Sequence, residues 1–266
     1  MNPPSRGGST SGEPDTQGRH RPAKPGPPSE GPRMGAPVSL PRAVPGLSLL
    51  VAAFAALILF VILGIGVRAD TFAHLDPDLL LALQGKEPPS DPLGSLRAAE
   101  MARDITALGS FSILTLVSTA GLGAALLSGK GKATLMGLLS IGSAMAAMNL
   151  LKVFYSRPRP DLVAHGTFVS GASFPSGHTT MATVIYLTLG LMIARTSSRR
   201  ATRFFVMTLS LLIPVCVGIS RVYLGVHWPT DVIGGWMLGA VWGTLYAFAT
   251  KWMENRGKPS SPHEAS

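Results

Sequence analysis

Six aliphatic runs separated by polar intervals constrain this chain more than any single motif does. Residues 47–67 are almost wholly aliphatic, and about 20 such residues at 1.5 Å each cross the hydrocarbon core of a bilayer. Further runs occupy 111–127, 133–151, 179–194, 204–219 and 232–250. Those at 179–194 and 204–219 are short, so their helices are expected to extend into the flanking sequence. The runs at 111–127 and 133–151 carry many Gly, Ala and Ser residues, the small side chains that let membrane helices approach closely. The expected fold class is all-α, a polytopic membrane protein with six transmembrane helices whose site is built from outer loops and helix ends. A cleaved signal peptide is the competing reading of the first run. The long polar leader before it argues against that, because a signal peptide has a short charged n-region.

Composition agrees with a membrane chain. Hydrophobic residues make up 46% and charged residues only 14%, against roughly 25% charged in soluble domains. The net charge of +9 does not mark a nucleic-acid binder, since the cations are not gathered on one patch with interleaved aromatics. Cys216 is the one cysteine and lies inside an apolar run, which excludes a disulfide framework and a cysteine-based zinc site.

The chain divides into three parts. Residues 1–45 are rich in Pro, Gly, Ser and Arg, cannot bury enough apolar surface to offset their ordering entropy, and are expected to be disordered. Residues 46–252 form the six-helix domain, and 253–266 a second disordered tail. In the polar interval after the first run, Leu79, Leu80 and Leu83, then Met101, Ile105 and Leu108, fall at helical spacing, as in short amphipathic helices at an interface. Positive charge sets the orientation. The N-terminal tail, Lys130 with Lys132, the group Arg195, Arg199, Arg200 and Arg203, and the group Lys251, Arg256 and Lys258 together hold 15 of the 23 Lys and Arg. These segments are expected on the cytoplasmic side with both termini, and the remaining loops on the outer side of the membrane.

Two of those outer segments carry the chemistry. The first begins Lys152-Val-Phe-Tyr-Ser-Arg157-Pro-Arg159-Pro160 and ends Pro175-Ser176-Gly177-His178. The second reads Ser220-Arg221, then His227, then Asp231. If a helix starts after Trp228 and Pro229, Asp231 reaches back to one ring nitrogen of His227, fixing the tautomer and leaving the other nitrogen to attack. The guanidinium of Arg221 matches phosphate oxygens. Backbone N–H groups at the start of the fourth span, with the Ser176 hydroxyl and the close approach that Gly177 permits, make a ready anion site. Bland alternatives stand beside each reading: an Arg221–Asp231 ion pair in a loop, His178 as a plain helix-start residue, and Arg157 snorkelling to the headgroups.

Taken together, Lys152-x6-Arg159-Pro160, Pro175-Ser176-Gly177-His178 and Ser220-Arg221-x5-His227-x3-Asp231 resemble the pattern of the type 2 phosphatidic acid phosphatase family, the membrane branch of the vanadium haloperoxidase superfamily. The resemblance spans residues 111–250 and selects Arg159 over Arg157. It implies that His227 attacks phosphorus to form a phosphohistidine, that Asp231 orients it, and that His178 protonates the leaving oxygen and then activates water. It assigns Lys152, Arg159, Arg221, Ser176 and Gly177 to the non-bridging oxygens and implies neither metal nor cofactor. A lipid phosphate substrate held among membrane lipids is expected, with undecaprenyl diphosphate and phosphatidic acid foremost. Phosphatidylglycerol phosphate and a lipid A phosphate are also candidates, and no residue pattern points to nucleic acid or an obligate protein partner. A phosphatase for a soluble ester, a haloperoxidase, and a non-enzymatic membrane protein or transporter are the rival readings.

Overall fold

The computed structural model describes residues 46–83, 96–161 and 171–256, and these contain eight helices and no strand. The expectations for residues 1–45 and 257–266 lie outside the described residues. In chain order the helices are α1 (Leu47–Arg68), α2 (Leu75–Leu81), α3 (Leu96–Ala107), α4 (Phe111–Leu127), α5 (Gly131–Tyr155), α6 (Gly177–Thr196), α7 (Arg200–Tyr223) and α8 (Pro229–Arg256). Five of them, α1, α5, α6, α7 and α8, are long and apolar enough to cross a bilayer on their own. The sixth expected span, α4, is 17 residues long and passes the same test when joined to α3, from which it bends by 45°. The short runs do extend into the flanking motifs: α6 begins at Gly177 and α7 continues through Arg221 to Tyr223. One boundary moves, since residues 253–256, assigned above to the tail, complete the last turn of α8.

Helix α6 is the hub of the bundle, packing on α4, α5, α7 and α8, while α1 packs on α8 and α3 on α7. On α1, by contrast, Val51, Phe54, Ile58, Ile62 and Ile65 stay exposed. In a bilayer such a face is the ordinary lipid-facing surface of a spanning helix. The site therefore rests on the inner helices, α5 to α8.

Close approach of α8 to α6 is made possible by glycines four residues apart. A Cβ on Gly239 would lie 2.4 Å from Thr183 Cβ, one on Gly235 2.9 Å from Thr179 Cβ, and one on Gly243 2.8 Å from Leu187 Cδ1. The facing residues Thr179, Thr183 and Leu187 repeat at the same spacing, so one small-residue stripe of α8 meets one row of α6. This seam fixes the axial position of α8 against α6, and with it the height of Asp231 relative to Gly177. Gly239→Ala is expected to lower stability by about 1–3 kcal/mol through overpacking. Gly123→Ala, where an added Cβ meets nothing within 4 Å, is expected to be neutral in the same thermal unfolding measurement in detergent.

Candidate active site

The C-terminal ends of α5 and α7 and the N-terminal ends of α6 and α8 meet at one end of the bundle. Pro229 opens α8, where its missing N–H costs nothing and its fixed φ suits the first turn. Gly225, at φ 68, turns the chain from α7 towards α8 in a backbone conformation that favours glycine. That short connection places His227 four residues before Asp231, on the first turn of α8. His227 Nδ1 lies 3.3 Å from Asp231 Oδ2, and the same carboxylate oxygen accepts the Trp228 backbone N–H at 3.0 Å.

The other ring nitrogen of His227 faces Arg159, whose Nη1 is 3.2 Å from Nε2. A guanidinium only donates, so Nε2 is the acceptor and Nδ1 carries the proton towards Asp231. The tautomer is thereby fixed, with the lone pair directed at the cation. His227 is 1% exposed, and burial outweighs the hydrogen bond and charge of Asp231, holding its pKa down at about 4. Burial also lowers the Arg159 pKa, partly offset by Asp231. The ring is neutral at physiological pH.

Around this pair stand the other expected residues. Arg159 also donates from Nη1 to the Val226 carbonyl at 3.0 Å and from Nε to the Gly171 carbonyl at 3.1 Å, so it ties the two motif-bearing loops together. Lys152, in the last turn of α5, donates to the Ala172 carbonyl at 2.7 Å, and its Cε runs 3.6 Å from the place a Gly177 Cβ would occupy. Ser176 is the N-cap of α6, and its hydroxyl accepts from Thr179 Oγ1 at 3.0 Å, which leaves its own proton to donate. Arg221 is 5% exposed and donates to Thr106 Oγ1 of α3 at 3.1 Å. Its buried Nε has no partner among the described residues, and an orphaned guanidinium N–H is what an anion site holds ready for its ligand. His178, one residue into α6, lies within electrostatic reach of Arg221, His227, Arg159 and Lys152. All eight expected residues thus gather at one place.

Two bland alternatives are corrected by this geometry. Arg157 does not snorkel to the surface: it donates from Nη1 to Asp231 Oδ1 at 2.7 Å and from Nη2 to Asp76 Oδ2 at 2.7 Å. Having lost Asp231 to Arg157, Arg221 pairs with a hydroxyl instead of a carboxylate. Two residues were missed in the sequence. Thr106 sits on α3 two positions after the exposed Asp104, and Asp76 is a 1% exposed carboxylate on α2. The one available signal for Asp76 was its placement four residues before Leu80, on the same helix face; both are buried.

Comparison with known proteins fits this arrangement. A model of the PAP2 superfamily matches residues 133–257, which hold every motif above. Phosphatidylglycerophosphatase B of Bacillus subtilis is 37% identical over 142 residues, covering 53% of this chain and 69% of the relative. The chain belongs to the PAP2 superfamily. An undecaprenyl-diphosphatase of Sulfolobus acidocaldarius is 43% identical over 68 residues, a shorter match covering 26% of this chain and 29% of that protein. The crystal structure of a transmembrane PAP2 type phosphatidylglycerolphosphate phosphatase from Bacillus subtilis superposes with a TM-score of 0.68 at 27% identity, over 79% of this chain and 99% of that one. As in that PAP2 structure, this is an integral membrane protein.

Because an unfolded chain protonates histidine near 6.5 while folded His227 does so near 4, stability is expected to fall as pH drops through that window. In nitrogen-15 histidine spectra, His227 is expected to keep an unprotonated Nε2 down to that range. Asp231→Asn, which removes the negative charge that helps raise the pKa, is expected to move the midpoint lower still.

Proposed function

We propose that this PAP2 protein is a lipid phosphate phosphatase that cleaves a phosphate monoester or diphosphate headgroup through a phosphohistidine. The single observation that carries the reading is the contact between Arg159 Nη1 and His227 Nε2. It puts a phosphate-binding fork on the one nitrogen that is free to attack. A phosphoryl group entering there takes over the guanidinium through its oxygens, and Nε2 is released in line with phosphorus.

In the first step the Nε2 lone pair bonds to phosphorus, the bond from phosphorus to the leaving oxygen breaks, and His178 gives that oxygen its proton. The ring keeps its proton on Nδ1 and so becomes a phosphoimidazolium, whose positive charge the facing carboxylate of Asp231 stabilises. In the second step neutral His178 takes a proton from water, whose oxygen displaces Nε2 and releases inorganic phosphate. Lys152, Arg159 and Arg221, with the Ser176 hydroxyl and the Gly177 N–H, hold the non-bridging oxygens throughout. Catalysis of this kind is mostly positioning and neutralisation.

A cavity of about 510 Å³ supports a lipid substrate over a soluble one. It runs between α4, α5 and α6 and is lined by Leu114, Met145, Met148, Met181 and Ile185, with His178 and Gly177 in its wall. Such a pocket gives an acyl or prenyl chain an apolar bed beside the reacting headgroup. Phosphatidylglycerol phosphate is the first expectation, since the curated relative with the longer alignment and the fold neighbour both carry that name. Undecaprenyl diphosphate is the second. The bundle end opposite the site gathers Lys130, Lys132 and Arg195, which supports an outward-facing site and cytoplasmic termini by the positive-inside rule.

The test is phosphate release by the purified protein in detergent from a panel of lipid phosphates, with chelator present. Turnover of phosphatidylglycerol phosphate or undecaprenyl diphosphate is expected to continue without metal. His227→Ala and His178→Ala are each expected to abolish it while expression and membrane insertion persist. Activity retained in both variants places the chemistry elsewhere, and activity confined to soluble esters refutes the lipid reading. The rate is expected to follow a bell in pH, since the first step needs His227 neutral and His178 protonated.

A further inference from the structure

Behind the proposed nucleophile lies a charged group that the family pattern does not contain. Asp231 Oδ2 serves His227 and the Trp228 N–H, while its Oδ1 accepts from Arg157 Nη1. Arg157 bridges onward to Asp76 Oδ2 and also donates to Thr230 Oγ1 at 2.8 Å. Thr230 in turn donates to Asp76 twice, from its backbone N–H to Oδ1 at 3.0 Å and from its hydroxyl to Oδ2 at 2.6 Å. Asp76, Thr230 and Asp231 are all at most 3% exposed, and the side chain of Arg157 is 15% exposed.

The charges are what make this more than an anchor for α2. Arg157 on its own would neutralise Asp231, and the nucleophile would gain a fixed carboxylate but lose its electrostatic support. Asp76 adds a second negative charge on the far side of the same guanidinium. Two carboxylates around one cation leave the group with a net single negative charge, as Asp231 would have unpaired, but with its oxygens clamped. We infer that Asp76 and Arg157 are positioning residues for the phosphatase reaction: Arg157 locks the rotation of the Asp231 carboxylate, and Asp76 restores the negative charge that stabilises His227 as it becomes a phosphoimidazolium. Neither touches the substrate. The inference rests on the phosphatase reading above.

The test uses the full chain in detergent with dioctanoyl phosphatidylglycerol phosphate as substrate and inorganic phosphate as inhibitor. Asp76→Asn keeps the shape of the contact with Thr230 but deletes the charge. It is expected to lower kcat by about 10- to 100-fold, the scale of a misplaced catalytic group, with KM and the phosphate inhibition constant within about twofold. Asp76→Glu is expected to recover most of that loss, and Asp78→Asn, on an exposed position of the same helix, to have no effect. Arg157→Gln faces two carboxylates with no cation between them, so its loss is expected to be larger. The double variant Asp76→Asn with Arg157→Gln removes that repulsion and is expected to be more active than Arg157→Gln alone. Unchanged kcat in Asp76→Asn, losses that multiply in the double variant, or failure of Asp76→Asn to fold would each overturn the inference in favour of a plain structural anchor. An inactive wild type on every lipid phosphate defeats the phosphatase reading itself. An active wild type with a fully active Asp76→Asn defeats only the positioning role.

Discussion

The carboxylate of Asp231 is the joint on which the site end of the bundle depends. Its side chain receives the His227 ring, the Trp228 N–H and Arg157, and its backbone carbonyl accepts the Ser176 N–H at 3.0 Å. Three segments far apart in the chain are therefore referred to one residue. A carboxylate at 0% exposure is tolerable only because each oxygen has partners, including a full positive charge. The completeness of that bonding gives the histidine a single tautomer and a single orientation.

What brings these segments to the same height is helix packing inside the membrane domain. Lipid tails are as apolar as the helices, so hydrophobic burial gives no reason for α6 and α8 to choose one register. The choice comes from fit: Gly235, Gly239 and Gly243 admit Thr179, Thr183 and Leu187 at distances no larger residue permits. The N-terminus of α6 and the first turn of α8 are then level, and Ser176 meets Asp231 across the seam. The geometry of the candidate site and the packing of the helices are thus coupled through a contact at the top of that seam.

Electrostatics at the site is strongly unbalanced. Lys152, Arg159 and Arg221 lie close enough to influence one another's ionisation, and three cations held together in partial burial repel. Carbonyl acceptors at Ala172, Val226 and Gly171 take up some of their donors, but carbonyls carry no net charge. The buried, unpartnered Nε of Arg221 belongs to the same pattern. On the proposed reading, a polyanionic headgroup relieves this repulsion on arrival, which would let a rigid cradle favour phosphate over neutral lipid headgroups.

Much of this was readable from the amino acids. The aliphatic runs dictate helices because their length matches a bilayer, and His227 with Asp231 form a local i, i+4 pair whose geometry follows from a helix start at Pro229. The resemblance in three spaced motifs picks out Lys152, Arg159, Ser176, Gly177, His178 and Arg221 from the sequence itself. The roles of Arg157 and Asp76 are not legible in the sequence, because their partners are 74 and 81 positions apart for Arg157 and 154 for Asp76 with Thr230; no periodicity or spacing rule reaches that far. The amino acids alone determined the kind of protein and which chemical groups it carries, since both follow from composition and short-range pattern. Only the tertiary structure decided which cation meets Nε2 of His227 and which stands behind Asp231, because Arg157 and Arg159 are two residues apart in one loop and differ solely in what the packed helices place next to them.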